Sequence, residues 1–548
     1  MKRITLFLLS MVLLLQLTAC GGNPSPNEST GGSDPANQET ATDGSVLRIG
    51  CTIAHTTFNL FDQGGAYGKL NLERFGQQPL VGMDENGELT PGFFETFEIN
   101  DANDTVVFTF PTDAKFHDGT TITLEDVLFS MESWMDKWKG RGYNVTVTDS
   151  AEGAITCQLD TPSAYAWLSY GAGQCYIAPY HVWEKVEGDY SSYVGEDAHI
   201  GAGPYRFVSY DEAAQVSYYE AFEDYYWGEQ TIEKVELHSY SSPENLVMAI
   251  KNGEIDAMYT YASPIASTLI GTLEGAEDVE TGGSNYSGNY QLTFGFNAYP
   301  TNEQSFREAV YYALDYDLLA TTIGGNEAVP AHRGMIPQGN KGYVDGYPVN
   351  ERDLEEAGRI LDEAGYLDVD GDGIRDDQNG QPMTVSILPQ SGKNEMMSRL
   401  AEVIMNNLAD VGIQCAMDED AMRNEDIFDQ RTQVDKNYQL YVGYTTPGVA
   451  DYRTSAFYIL PEPYYQSGTF DDPDYVAAYQ ALQDAKNTEE YSVAAAEIQA
   501  INAEKFPLIA LAWEQAYFPY RTDRFTGWEN WPSTGVINQD TWFQVTLQ

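Results

Sequence analysis

The chain has 548 residues, with 83 Asp and Glu against 29 Lys and Arg, a formal net charge of −54. Nucleic acids and anionic lipid head groups are bound through clustered cations, so this balance excludes both classes and points to neutral, cationic or zwitterionic partners. With 42% hydrophobic and 13% aromatic residues it is no disordered acidic tail, and its length gives about three to five structural units.

Residues 1–19 read as an export signal: Lys2 and Arg3, an apolar run from Ile4 to Leu15, then Leu17-Thr18-Ala19 before Cys20. The run is too short for a spanning helix, which needs about 20 residues. The Leu-x-Ala-Cys ending resembles the lipobox of bacterial lipoproteins, in which the peptide is cut before the Cys and its sulfur is acylated. That Cys is Cys20. From Gly21 to Ser45 there is no large apolar side chain, so residues 20–45 are expected to form a lipidated cysteine and a flexible tether.

The folded body is expected to start with a strand at Val46–Gly50 and to continue with another at Thr105–Phe110. A turn at His117-Asp118-Gly119 follows. Thr123 and Asp126 form a capping pair ahead of a helix carrying Val127, Met131, Trp134 and Trp138. Gly201-x-Gly203-Pro204 enters strands. Leu246, Val247 and Ile250 mark a short helix closed by Asn252-Gly253, and Ile255–Met258 reads as the next strand. A strand at Leu292–Phe296 precedes a helix with Phe306, Ala309, Val310, Ala313 and Leu314 at 3.6-residue spacing. Two more helices end at Gly365 and Gly412. Asp472-Pro473 caps another, and Pro507 introduces a strand at Leu508–Leu511. Strands alternating with helices give α/β lobes.

The motifs of serine hydrolases, zinc proteases, phosphate loops and dinucleotide folds are all missing, which favours binding over catalysis. Asp368, Asp370, Asp372 and Asp376, with Gly373, follow the first half of a calcium loop. Its twelfth position is Asn379 rather than the bidentate Glu, so a solvated turn is the favoured reading and calcium the alternative. No other cofactor is expected. Cys157 and Cys175 are either one disulfide or two buried thiols. Tyrosines crowd residues 438–465 around Asp451 and Arg453, a composition that suits either a ligand-site wall or ordinary packing.

Several stretches, taken together, resemble family 5 of the extracytoplasmic solute-binding proteins, the peptide- and nickel-type receptors of ABC importers. They are Pro79-Leu80-Val81; Lys115-Phe116-His117-Asp118-Gly119 with Thr123-x-Glu125-Asp126-Val127; Gly201-x-Gly203-Pro204-Tyr205; Tyr225-Tyr226-Trp227; Gly253-Glu254-Ile255-Asp256; Phe306-Arg307-x-Ala309-Val310; and Glu363-Ala364-Gly365-Tyr366. The resemblance implies a two-lobed, periplasmic-binding-protein-like flytrap of type II with an additional N-terminal α+β subdomain. Lobe I would comprise residues 46–75, 201–290 and 512–548, the extra subdomain 76–200, and lobe II 291–511. It implies a monomeric, non-enzymatic lipoprotein at the outer face of the cell membrane, passing di- or oligopeptides to a permease. Receptors of this family for oligosaccharides or a nickel chelate are the alternative, and an extracellular hydrolase is a third reading. In peptide-binding members an Asp in an Ala-Asp-Tyr stretch pairs with the ligand ammonium, which implies Asp451 here. Tyr452, Arg453, Tyr444, Tyr290 and Trp513 are the remaining site candidates.

Overall fold

The computed structural model describes residues 46–53, 58–62, 73–140, 142–172, 175–259, 265, 267–325, 327–377, 380–390, 394–445, 456–461, 467–532 and 535–548. The strands of its two larger sheets, in chain order, begin with β1 (Val46–Cys51), then β2 (Thr96–Ile99), β3 (Thr105–Thr109), β4 (Val145–Ala151) and β5 (Ala154–Leu159). They continue with β6 (Tyr205–Asp211), β7 (Val216–Ala221), β8 (Lys234–Ser239), β9 (Ala257–Met258) and β10 (Val279–Phe294). The last are β11 (Val329–Pro330), β12 (Thr384–Pro389), β13 (Gln414–Met417), β14 (Leu440–Thr445) and β15 (Leu508–Arg521).

One eleven-stranded sheet runs in the order β13-β12-β14-β10-β15-β9-β1-β8-β7-β6, with β11 paired to β15 off this path. A separate four-stranded antiparallel sheet, β2-β3-β5-β4, lies within residues 96–159. In the large sheet β1 is parallel to both β8 and β9. Its Leu47 and Ile49, which share one face of the strand, are fully buried, while Arg48 on the other face is only partly so. The centre is the antiparallel pair β10–β15, whose register runs from Val279 opposite Arg521 to Thr293 opposite Leu508 with three irregularities. This ribbon lies between β12–β14 on one side and β9, β1 and β8 on the other.

The capping pair is realised. Helix α1 (Leu124–Lys139) is opened by Thr123, whose hydroxyl accepts from Asp126 N while the Asp126 carboxylate accepts from Thr123 N. α2 (Pro243–Asn252) closes on Gly253 in the left-handed region (φ 75°), where a side chain would be strained. α3 (Gln304–Ala313), α4 (Leu354–Glu363), α5 (Asn394–Ala409) and α6 (Pro473–Asp484) fall where the apolar spacing puts them. α7 (Thr488–Lys505) has no counterpart in the sequence reading. Its Tyr491, Ala494, Ala495, Ile498 and Ile501 are buried and so, unusually, are Gln499 and Asn502, which blurs the apolar stripe.

The strand expected at Leu292–Phe296 is instead the sixteen-residue β10, and the one at Leu508–Leu511 is the fourteen-residue β15. Gly282, Gly283, Ser284 and Gly288 read locally as a loop, yet pairing with β15 holds them extended. Cys157 and Cys175 are both buried free thiols. Cys175 Sγ receives Trp138 Nε1–H at 3.2 Å and donates to the Gly171 carbonyl at 3.2 Å. His117 is a structural residue: its Nε2 donates to the Gly203 carbonyl (3.0 Å), joining the His-Asp-Gly turn to the Gly-x-Gly-Pro segment, and burial pushes its pKa down to about 4.

Asp256 anchors the C-terminal part of the chain. Fully buried, it accepts from Arg48 N (2.8 Å), Arg48 Nε and Nη2 (3.1 and 2.9 Å) and Arg524 Nη1 (2.7 and 2.8 Å). Removing one partner of such a buried network leaves the other charges uncompensated, typically at about 3–5 kcal/mol. Asp256→Asn is therefore expected to lower the unfolding free energy by an amount in that range, read as a fall in the urea midpoint with the slope of the transition unchanged. An unchanged midpoint would contradict the anchoring role.

Candidate ligand-binding site

Near the middle of the sheet, β14 brings Tyr444 directly opposite Tyr290 of β10. The two rings lie 4.8 Å apart with planes inclined at 53°. From β15, Glu514 reaches the same place, and Tyr290 Oη donates to its Oε1 at 2.9 Å. Burial raises the Glu514 pKa above its ordinary 4.5, opposed by the Tyr290 hydrogen bond. The Tyr290 hydroxyl is itself pushed up, first by burial and then by the Glu514 charge. The end of β14 is satisfied by the residue that follows β12: Gln390 Oε1 accepts Tyr444 N at 3.0 Å, and Gln390 N donates to the Val442 carbonyl at 2.9 Å. The result is two aromatic faces beside one carboxyl group held in a low-dielectric setting, suited to stacking on a ligand and meeting a cationic group.

Of the candidates named from the sequence, Tyr290 and Tyr444 lie side by side. Trp513 is a neighbour along β15 but packs elsewhere, in an apolar cluster with Ala331, Met335 and Ile336. Its ring meets His332 edge-on at 4.6 Å. Gly334 N donates to His332 Nδ1 at 3.0 Å, so the neutral ring carries its proton on Nε2. His332 Nε2 and Trp513 Nε1 are both buried without a hydrogen-bond partner among the described residues. Asp451, Tyr452 and Arg453, with Cys20, lie outside the described residues. Glu514 was missed in the sequence because one acid among 83 carries no signal until the fold buries it.

The acidic loop divides. Asp368, Asp370 and Asp372 each offer a carboxylate oxygen within 4.8 Å of the others, all three being exposed. Their oxygens are engaged by the turn itself: Asp368 accepts from Gly371 N and Gly373 N, Asp370 from Asp372 N, and Asp372 from Ile374 N. Asp376 stands apart from the three. It is buried, and its carboxylate accepts from Val369 N at 3.0 Å. This pattern of backbone N–H groups on aspartate oxygens is that of an Asx-rich turn.

The profile described as bacterial extracellular solute-binding proteins, family 5 Middle, matches residues 88–463. The dipeptide-binding protein DppE of Bacillus subtilis (strain 168) is 23% identical over 306 residues, 52% of this chain and 53% of that protein, so the chain spans about half the length of this relative. The oligopeptide-binding protein AppA of the same organism is 23% identical over 437 residues, 75% of this chain and 76% of that protein. The crystal structure of a periplasmic oligopeptide-binding protein of an ABC transporter from Thermotoga maritima superposes with a TM-score of 0.73 at 20% identity, covering 93% of this chain and 100% of that one. The same Thermotoga protein bound to mannohexaose gives 0.67 at 20% identity, with the same coverage. These likenesses establish the fold: mixed α/β and two-lobed. Among the described residues no helix is long and apolar enough to cross a membrane.

Because the folded-state pKa of Glu514 is raised, its ionisation opposes folding. The penalty is absent below the ordinary value of 4.5 and grows as pH rises through the folded-state pKa. Glu514→Gln is expected to melt higher than wild type at pH 7, and the advantage should vanish on acidification below 4.5. A melting difference that does not change with pH would show that Glu514 titrates normally.

Proposed function

The chain belongs to the bacterial extracellular solute-binding proteins, family 5, and we propose that it captures di- or oligopeptides between its two lobes and delivers them to the permease of an ABC importer. The observation that carries this reading is the β10–β15 ribbon, which joins the two halves of the sheet and bears Tyr290 and Glu514 along its length, beside Tyr444. Lobe I, at residues 46–75, 201–290 and 512–548, and lobe II, at 291–511, change over inside these two strands. A hinge there closes the lobes around the ligand. The extra subdomain, residues 76–200, moves with lobe I. Function is binding and release without turnover, by a monomer.

Asp451 meets the ligand's α-ammonium, Tyr452 and Arg453 complete that end of the site, and Tyr444 and Tyr290 form its walls. The matched relatives carry peptide-binding names, which supports a peptide over other solutes. The stacked tyrosines and the mannohexaose complex of the Thermotoga protein favour an oligosaccharide as the second reading. At the N-terminus, Cys20 is acylated after removal of residues 1–19. The segment Gly21–Ser45 then tethers the body to the outer face of the cell membrane.

Asp451→Asn is the test. Losing the carboxylate leaves a buried ammonium unpaired, at about 3–5 kcal/mol, so calorimetry with a tripeptide such as Lys-Ala-Ala should show affinity reduced by two orders of magnitude or more. Equal affinity in the variant would remove Asp451 from the site.

A further inference from the structure

Residues 76–200 and the helices α6 and α7 belong to different apolar clusters with no member in common among the described residues. What joins them is a polar seam. At its centre Lys341, whose side chain is only 8% exposed, donates from Nζ to Tyr165 Oη at 2.8 Å. The same ammonium lies 5.3 Å from the Tyr165 ring, 5.3 Å from the Tyr491 ring of α7, and 3.5 Å from Glu88 Oε1. Thr488, at the start of α7, donates to Glu88 Oε1 at 2.5 Å and pairs with Tyr165 Oη at 3.2 Å. Further along, Lys486 Nζ donates to the Asp101 carbonyl at 2.8 Å.

Polar interfaces of this kind between parts of one chain make and break readily, whereas a shared apolar core does not. The charge balance sharpens the point. In a chain of net charge −54 the two parts repel each other, and two lysines stand where they meet. When the seam is apart, the Lys341 ammonium is hydrated. When it forms, two aromatic faces, a phenol oxygen and the Glu88 carboxylate replace the water.

We propose that Lys341, Glu88 and Tyr165 form a clasp that closes when the lobes close, so that Lys341 sets ligand affinity without touching the ligand. The inference rests on the hinge-closing reading above. Apparent affinity scales with the closed fraction, so weakening the clasp weakens every ligand by the same factor whatever its side chains.

The test follows energy transfer between single dyes on Asp149→Cys and Val434→Cys, both exposed positions, in a Cys415→Ser background and with ligand removed by unfolding and refolding. Wild-type protein should show two transfer populations. Lys341→Met, which keeps the aliphatic stem, should shrink the closed population relative to the open one by about tenfold, while Lys341→Arg retains it. A single population in wild type, or an unchanged split in Lys341→Met, would overturn the clasp. A lower melting temperature with an unchanged split would mark the seam as static packing, which also overturns it. No ligand is added, so failure of tripeptides to bind would sink the peptide reading and leave the clasp to be judged on its own.

Discussion

The pairing of β10 with β15 is the constraint on which the rest of the structure depends. Through it the strands of lobe II and lobe I become one sheet, and through it Tyr290 and Glu514 meet Tyr444. One end of the ribbon is fixed rigidly. Arg521 N donates to the Asp256 carbonyl at 2.7 Å, while the Asp256 carboxylate holds Arg48 and Arg524. A two-stranded connection with irregular register, anchored at one end by a buried ionic network, bends more easily than the packed sheets on either side of it. That is the mechanical requirement of a receptor that opens and shuts.

Charge works at two levels. The overall acidity keeps the body soluble and disfavours anionic ligands and surfaces. Locally, the fold spends its few cations where carboxylates must be buried or where acidic parts meet: Arg48 and Arg524 on Asp256, and Lys341 at the seam with Glu88. Glu514 is the exception. It is half-buried, and among the described residues its carboxylate is met by the Tyr290 hydroxyl alone, which leaves it suited to a cationic or hydrogen-bonding group brought in from outside.

Much of this was legible in the sequence, and the exceptions share a physical cause. α1 announced itself because its signals are local: Thr123 and Asp126 three residues apart, then an apolar stripe. α2 likewise ends on a glycine that must take positive φ. β10 hid because Gly282, Gly283, Ser284 and Gly288 have no intrinsic strand preference, and only a partner more than two hundred residues away makes them a strand. α7 hid because polar Gln499 and Asn502 stand in its buried stripe and break the apolar pattern, while Val493 lies on the exposed face. For the site, aromatic density drew attention to Tyr444 and the family resemblance to Tyr290. Trp513 turned out to pack against His332, in a different cluster. Glu514 could be found only once tertiary structure had taken it out of water.

The most direct measurement is mass spectrometry of what the protein carries when purified, without added ligand, from cells that make it. The protein is denatured and the released molecules are identified. This account predicts intact peptides of varied sequence, in about one-to-one amount with the protein and unchanged after prolonged incubation. Intact glycans in their place, or peptides progressively cut on incubation, would contradict it.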